Sequence, residues 1–255
     1  MALQWMTIPC LSDNYAYLVH DPESGCTAVV DVPDAQPILT ALEEQGWTLT
    51  KILLTHHHGD HIGGVPDLLA ATSAKVVGAA ADAHRLPHLD LALSEGDSVT
   101  IGGETGQVID VSGHTLGHIA YYFPKSAVAF TGDSLMALGC GRVFEGSAAQ
   151  MWQSLSKLAA LPPDTTLCSG HEYTLANANF ALTIDPGNEA LKLRALQARC
   201  ARSRHEATVP TQLSEELATN PFLRPDDPEI RHTLGLPDAS DAEVFAEIRA
   251  RKDRY

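Results

Sequence analysis

The sequence lacks several features that would each assign the protein to a particular class. No apolar run approaches the length of a membrane span. Residues 1–18 contain no basic stretch followed by an apolar core, so we expect no secretion signal. The five cysteines are scattered and form no C-x-x-C pair. An odd, dispersed set predicts reduced thiols in a cytoplasmic protein rather than a disulfide framework.

Basic residues are also scarce, since 17 Lys and Arg stand against 32 Asp and Glu, for a formal net charge of −15. This balance argues against non-specific binding to nucleic acid. The chain has no internal repeat and no low-complexity segment. Its 255 residues, 44% hydrophobic and 19% charged, have the composition of an ordinary globular protein with a full core.

The densest group of chemically active residues is the motif T-H-H-H-G-D-H, which ends at His61 and follows an apolar run. Imidazole and carboxylate groups are ligands of zinc and its first-row neighbours. Alternate residues of an extended chain point the same way, so His56 and His58 can reach one ion while His57 points away. After the glycine turn, Asp60 and His61 face a second position. The spacing therefore predicts two metal ions.

Three later segments repeat one pattern, in which an apolar run ends in a small polar residue and glycine and then in a possible ligand. Side chains just past strand ends converge at one edge of a sheet, where the sites of layered α/β proteins lie. Two ions that share a carboxylate and a solvent oxygen need about this many ligands. The full set of candidate ligands is His56, His58, Asp60, His61, His114, Asp133 and His171. The other histidines, including His57 and His118, are expected at the surface or behind the ligands.

The chain changes character near residue 174. Residues 1–174 alternate short strand-like runs with a few helices, which predicts two sheets rather than one parallel sheet. In residues 175–255, apolar residues such as Leu193 and Leu196 recur at helical spacing, and 211–219 has the pattern of a second short helix. Ser240-x-x-Glu243 is a capping box that opens a last helix. We expect one domain over 1–174 and a small helical unit over 175–255.

The histidine motif resembles that of the metallo-β-lactamase superfamily. Within that superfamily the chain is similar to glyoxalase II, the hydroxyacylglutathione hydrolases, over essentially its whole length. The resemblance also covers S-D-N-Y at 12–15, G-H-T-x-G-H at 113–118, T-G-D at 131–133, G-C-G-R at 139–142, G-H-E-Y-T at 170–174, N-P-F-L-R at 220–224 and R-x-x-K-D at 249–253.

The resemblance implies an α/β (α+β) fold, a four-layer αββα sandwich with the metals at one edge and a helical C-terminal domain. It implies that 1–174 is the catalytic domain and that 175–255 is the helical substrate-binding domain. It divides the ligands between two ions: His56, His58 and His114 hold the first, Asp60, His61 and His171 hold the second, and Asp133 bridges them. Zinc is the first expectation for both ions, and iron or manganese also suits these ligands.

The resemblance further implies a substrate, S-D-lactoylglutathione, which is cleaved to D-lactate and glutathione in the second step of methylglyoxal detoxification. We expect a cytoplasmic monomer whose partner is this small molecule, with no nucleic acid and no membrane. The implied glutathione-binding positions are Arg142, Tyr173, Asn177, Arg249 and Lys252. Arg142 stands where lysine is common, which preserves the charge but changes the geometry. Phe144 stands where many relatives have a tyrosine that contacts glutathione, so one hydrogen bond is missing.

The implied reaction is hydrolysis by a hydroxide that bridges the metals, since bound cations lower the pKa of water towards neutrality. Asp60 and Asp133 are the catalytic carboxylates of this hypothesis. A thiol pKa of roughly 8.5 makes the thiolate a good leaving group, so no general acid is required.

Rival interpretations share parts of this pattern. A lactonase or β-lactamase of the same fold is expected to lack the basic helical tail. A persulfide dioxygenase uses a single iron and would leave Asp60 and His61 without a second metal. A metal-stabilised binding or structural protein is disfavoured, because closed structural zinc sites are mostly cysteine-rich.

Overall fold

The computed structural model describes residues 1–255. The strands are β1 (Gln4–Cys10), β2 (Asn14–His20), β3 (Thr27–Val30), β4 (Leu49–Leu53), β5 (Lys75–Ala79), β6 (Leu91–Leu93), β7 (Ser98–Ile101), β8 (Glu104–Asp110), β9 (Ile119–Phe123), β10 (Val128–Gly132), β11 (Leu135–Met136), β12 (Gly139–Cys140), β13 (Thr166–Ser169) and β14 (Thr211–Gln212). The α-helices are α1 (Ala35–Gln45), α2 (Gly59–Ile62), α3 (Val65–Ala71), α4 (Ala148–Ala159), α5 (Thr174–Ile184), α6 (Glu189–Ser203), α7 (Leu213–Thr219), α8 (Pro228–Leu234) and α9 (Asp241–Arg254). Single 3₁₀ turns lie at Ala80–Asp82 and Pro221–Leu223.

The strands form two six-stranded sheets and one small hairpin. The first sheet has the order β1-β2-β3-β4-β5-β6. Its strands pair antiparallel from β1 to β3 and parallel from β3 to β6. The second sheet has the order β14-β13-β10-β9-β8-β7, in which only the β10–β13 pair is parallel. Strands β11 and β12 form the separate hairpin.

Apolar side chains fill three layers around these sheets. Between the sheets lies a core that includes Phe123 and Phe130. Helices α1 and α3 cover the outer face of the first sheet, with Ile38 among the buried residues. Helices α4 and α9 cover the outer face of the second sheet, with Leu155 and Ile248 buried there. The expected four-layer αββα sandwich is confirmed.

The chain beyond Tyr173 is mainly helical, as the apolar spacing predicts. The capping box at the start of α9 is present, since the Ser240 N–H donates to Glu243 Oε2 at 2.8 Å and the Glu243 N–H donates to Ser240 Oγ at 3.4 Å. Val244 and Ile248 of this helix are fully buried. None of the helices combines the length and the apolarity needed to cross a lipid bilayer.

The prediction of one helix over 211–219 was wrong at its start. Thr211 and Gln212 form β14, which pairs antiparallel with β13 and extends the second sheet. Helix α7 begins only at Leu213. The difference arises because the backbone groups of these two residues find partners on a strand that is distant in sequence.

The apolar residues that indicated helix α6 do not face the core. Leu193 and Leu196 are 57% and 56% exposed. The buried side of α6 consists of Leu191, Ala195 and Ala198. Two alanines on this side let α6 pack closely on α5. The small residues therefore face the neighbouring helix, and the larger leucines face outward.

Candidate metal centre and substrate cavity

The histidine motif begins where β4 ends. The Thr55 N–H and hydroxyl both donate to the carboxylate of Asp31, each at 2.8 Å. These bonds fix the start of the motif at the end of the first sheet. The short helix α2 then begins at Gly59, with His58 as its N-cap.

Three imidazoles meet in the first group. His56 Nε2 lies 3.2 Å from His58 Nδ1, which lies 3.0 Å from His114 Nε2. His114 arrives on the loop that follows β8. The three ligand-type nitrogens all lie within 4.8 Å of one another, a spacing that can surround one metal ion.

A second group lies beside the first. His171 follows β13, and its Nε2 lies 3.3 Å from both His61 Nε2 and Asp60 Oδ2. The distance from His61 Nε2 to Asp60 Oδ2 is 3.9 Å. These three ligand-type atoms also lie within 4.8 Å of one another.

Asp133 lies between the two groups, just past the end of β10. Its Oδ1 lies 3.3 Å from His61 Nε2, and its Oδ2 lies 3.2 Å from His171 Nε2 and 3.6 Å from His114 Nε2. The Asp133 N–H donates to His118 Nε2 at 3.0 Å, which fixes the backbone at this point. The fold thus gathers all seven candidate ligands into one cluster.

The outer nitrogens of three of these imidazoles face acceptors, and the inner nitrogens face the cluster. The acceptors are Asp31 Oδ2 for His61 at 2.8 Å, the Arg142 carbonyl for His114 at 2.7 Å and Asp13 Oδ1 for His171 at 3.1 Å. In each ring Nδ1 therefore carries a proton, and Nε2 faces the cluster, where it can hold either a second proton or a cation. Nε2 atoms that converge on two points in this way fit bound cations.

The charges of the cluster support the same conclusion. Burial would raise the pKa of Asp133, but His61 and His171 hold it well below its usual value, so the carboxylate is ionised. Its buried Oδ1 has no hydrogen-bond partner. Burial lowers the pKa of His56 and of His114, so both rings are neutral. Although burial lowers the pKa of His61 and of His171, the Asp133 carboxylate raises both above their usual value. The charge of this buried carboxylate is therefore balanced by protons on these two rings or by divalent cations that replace those protons.

Several residues that hold the cluster in place were not identified from the sequence. Asp31 is close to His56 and His61, but its oxygens already accept from Thr55 and His61, so it orients the cluster. Asn14 Nδ2 donates to Asp60 Oδ2 at 3.1 Å. Asp31 follows the apolar strand β3, as Asp133 follows β10, and this shared position is the signal that could have identified it.

A cavity of about 390 Å³ opens beside the cluster. Five of the candidate ligands line it: His58, Asp60, His114, Asp133 and His171. All six residues predicted to contact substrate line it as well: Arg142, Phe144, Tyr173, Asn177, Arg249 and Lys252. Met136 and Cys140 also form part of the wall; Cys140 lies in the G-C-G-R motif beside Arg142, and nothing in the sequence around Met136 indicated its position.

Two of the six side chains are buried and bonded to the hairpin β11–β12. Arg249 is 6% exposed, and its Nη1 donates to the carbonyl of Cys140 at 3.0 Å. The buried Nε of Arg249 has no partner. Asn177 Nδ2 donates to the carbonyl of Ala137 at 3.0 Å. These two side chains therefore shape the cavity wall as well as line it.

Tyr173 and Lys252 also present polar groups to the cavity. The Tyr173 ring stacks on His171, with the ring centroids 4.6 Å apart, and burial raises its pKa to about 12, so the phenol keeps its proton. Lys252 Nζ donates to the carbonyl of Ala176 and lies 5.0 Å from the centre of the Phe180 ring. Burial lowers the pKa of Lys252 to about 8.

Arg142 and Phe144 lie at the exposed rim of the cavity. Phe144 is 60% exposed, and its ring centroid lies 5.3 Å from that of His114 and 5.8 Å from that of His58. Arg142 Nε lies 3.3 Å from Asp253 Oδ1. The Phe144 ring thus adjoins the first histidine group, and the Arg142 guanidinium carbon lies 5.8 Å from the centre of that ring.

Two packed sheets between helices, with a His/Asp cluster at their strand ends, define a metal-binding hydrolase of the metallo-β-lactamase superfamily. The family model of that superfamily matches residues 13–171. Among solved structures, the chain is similar to the BLEG-1 B3 metallo-β-lactamase, with a TM-score of 0.68 and 25% identity over 87% of this chain and 100% of that one. It is also similar to ETHE1 from Myxococcus xanthus, with a TM-score of 0.65 and 25% identity over 99% of this chain and 98% of that one.

Sequence comparison narrows the class further. A family model described as the hydroxyacylglutathione hydrolase C-terminus matches residues 172–255. Curated hydroxyacylglutathione hydrolases are 62% identical in Cereibacter sphaeroides and 63% identical in Fuscovulum blasticum, each covering 100% of both chains. The chain belongs to the hydroxyacylglutathione hydrolase family, the glyoxalase II enzymes.

Proposed function

We propose that this protein hydrolyses S-D-lactoylglutathione to D-lactate and glutathione, the second step of methylglyoxal detoxification. The observation that carries the proposal is that one cavity contains both the His/Asp cluster and the cationic groups of Arg142, Arg249 and Lys252. Glutathione has two carboxylates, so one end of the substrate needs cations. The thioester at its other end would then lie beside the cluster. Relatives over 60% identical along the full chain are named hydroxyacylglutathione hydrolases, a class of activity that includes this reaction.

We propose that seven side chains hold two divalent cations, with zinc the first choice. The first site would use His56, His58 and His114, the second would use Asp60, His61 and His171, and Asp133 would bridge the two. When bound, such cations activate water and polarise the thioester carbonyl. Zinc is favoured because nitrogen predominates among these ligands, although the set also suits iron and manganese.

The remaining chemistry belongs to the side chains of this protein. Asn14 holds the Asp60 carboxylate towards the cavity, where it can accept a hydrogen bond from the attacking water. Tyr173 keeps its phenolic proton and can donate a hydrogen bond to a substrate oxygen. Water adds to the thioester carbonyl and the glutathione thiolate leaves. No side chain has to protonate that sulfur, since a thiol pKa near roughly 8.5 makes it a good leaving group.

Residues 175–255 supply Asn177, Arg249 and Lys252 to the cavity, and we propose that this segment is the substrate-binding domain, with 1–174 as the catalytic domain. We further propose a monomer in the cytoplasm. The location rests on the five cysteines, whose odd number and dispersed positions suit reduced thiols.

The test is a comparison of substrates on one preparation with a known metal content. We expect rapid thioester loss from S-D-lactoylglutathione and little turnover of lactones or β-lactams. Oxygen consumption with glutathione persulfide would support the dioxygenase instead. That alternative is not favoured, since a second group of ligand-type atoms lies beside the first. Preferred turnover of any of these other substrates would overturn the proposal.

A further inference from the structure

The loop between the hairpin β11–β12 and helix α4 carries Arg142 and Phe144 to the cavity, yet it has no regular secondary structure. Phe144 is 60% exposed, so packing alone does little to fix its ring. Its position near His58 and His114 must therefore come from the way in which the loop backbone is held.

One carboxylate makes the densest set of contacts from this loop to the rest of the molecule. Glu145 Oε2 accepts from the Leu116 N–H at 2.8 Å and from Arg85 Nη2 at 3.0 Å, and its Oε1 accepts from Arg85 Nη1. This two-pronged pairing of guanidinium and carboxylate is the most directional ion pair available to a protein. Arg85 holds the pKa of Glu145 at about 2, so the pair stays charged at any working pH.

Arg85 is itself fixed by the histidine motif. Its Nε donates to Asp82 Oδ1 at 3.1 Å, and Asp82 Oδ2 lies 3.0 Å from His57 Nδ1. His57 Nε2 in turn lies 3.6 Å from Glu145 Oε1, which closes a ring of four side chains. A side chain at Gly117 would lie 2.2 Å from Asp82 Cγ, so the glycine there leaves room for this ring. His57, which points away from the metal cluster, thus contacts Asp82 and Glu145 instead of a metal site.

We propose that Glu145 and Arg85 are positioning residues, which hold the Phe144 ring beside His58 and His114 and so set the KM for the thioester. This inference rests on the proposed function. Neither residue lines the cavity, so their effect is transmitted through the loop. Loss of the ion pair frees the ring, and substrate must then order it on binding, which weakens binding without changing the reacting groups.

Glu145→Ala is the informative variant, because it leaves Arg85, Asp82 and His57 bonded to one another. We expect its KM for S-D-lactoylglutathione to rise about fivefold, with kcat within about twofold and the metal content unchanged. Glu145→Gln keeps an acceptor for the Leu116 N–H, so its KM should lie between those of the wild type and of Glu145→Ala. Glu206→Ala is the matched control, since Glu206 also pairs with an arginine, Arg204, but on the exposed surface.

A double-mutant cycle separates positioning from mere stabilisation. If Glu145 acts through the aromatic ring, Glu145→Ala has no further effect on KM in a Phe144→Ala background. An unchanged KM in the single variant, a full additional effect in that background, or a loss of kcat together with metal would each overturn the inference.

The inference and the proposed function can fail separately. Calorimetry with S-hexylglutathione, which cannot be hydrolysed, reports binding whether or not the wild type turns over the thioester. Weaker binding by Glu145→Ala supports the positioning role even if the natural substrate is a different glutathione derivative. Equal binding by Glu145→Ala and the wild type, or no binding by either, overturns it.

Discussion

At the scale of single residues, Asp133 has the most connected position in the proposed centre. Its two carboxylate oxygens lie 3.2–3.6 Å from imidazole nitrogens of both groups. Asparagine preserves the shape of this side chain but removes its charge. We expect Asp133→Asn to lower the metal content from two ions to one or fewer per chain and to lower kcat by about 100-fold.

The control for this variant is Asp164→Asn, which changes the same group at an exposed position near β13. Elemental analysis and thioester hydrolysis on the same samples provide the measurement. Two ions per chain with normal turnover in Asp133→Asn would remove this residue from the bridging position.

Lys252 gives the site a pH dependence. Burial lowers its pKa to about 8, so the ammonium is present below pH 8 and is lost as the pH rises through that value. We expect the KM for the anionic substrate to rise above pH 8 by about three- to tenfold, since a charge-assisted contact to a half-exposed group is lost.

Lys252→Arg is the matched variant, because a guanidinium stays charged throughout this range. The ratio of the kcat/KM of the wild type to that of Lys252→Arg cancels the titration of the substrate itself. That ratio should fall between pH 7 and pH 9. A ratio independent of pH would exclude the Lys252 charge from substrate binding.

The residue scale also shows what the sequence can reveal. The motif at His56 to His61 and the ligands at the ends of β8, β10 and β13 could be predicted, because metal chemistry restricts both the residue types and their spacing. Asp31 and Glu145 could not be assigned a role in the same way. Each acts through a partner brought close only by the fold, Asp31 on His61 and Glu145 on Arg85. The position of Asp31 after an apolar strand marks it as a candidate without showing its partner, and Glu145 has no local pattern.

At the scale of elements, helix α9 is joined to the hairpin β11–β12 by Arg249. The sequence predicts Arg249 as a cation for substrate, and the structure adds a bond from its guanidinium to the carbonyl of Cys140. Arg249→Ala should therefore raise KM about tenfold and also lower the free energy of unfolding by about 1–3 kcal/mol.

The control lies on the same helix. Arg254 is exposed, and its Nη2 comes no closer than 3.9 Å to Glu247. Arg254→Ala should leave both KM and thermal stability nearly unchanged. Arg249→Ala with wild-type KM would make Arg249 a purely structural residue of the hairpin contact.

The elements themselves differ in how well they can be predicted. The capping box at Ser240 identified the start of α9, because its hydrogen bonds lie within four residues of sequence. The strand at Thr211–Gln212 could not be seen, since it pairs with β13 more than forty residues earlier. The orientation of α6 was also hidden, because its alanines rather than its leucines contact the neighbouring helix.

At the scale of the whole molecule, metal removal should destabilise the fold. The formal net charge is −15, and part of it lies on the carboxylates of the cluster, such as the buried Asp133, whose charge the cations would offset. A ligand that binds the native state at about 1,000 times its Kd stabilises it by roughly 4 kcal/mol. For a chain of this size that corresponds to a Tm shift of roughly 10 °C.

Chelation should therefore lower the Tm, and added zinc should restore it. The measurement is thermal unfolding followed by circular dichroism at constant ionic strength, with magnesium as the control cation, since magnesium prefers oxygen ligands. An unchanged Tm after verified metal removal would mean that the cluster does not bind cations tightly in the native state.

The most direct test of the central claim is a zinc titration of metal-free protein, in which hydrolysis of S-D-lactoylglutathione and bound zinc are measured on each sample. The account predicts no thioester hydrolysis without metal and a rate that reaches its plateau at two ions per chain. Full hydrolysis by the metal-free protein, or a plateau at one ion per chain, would contradict it.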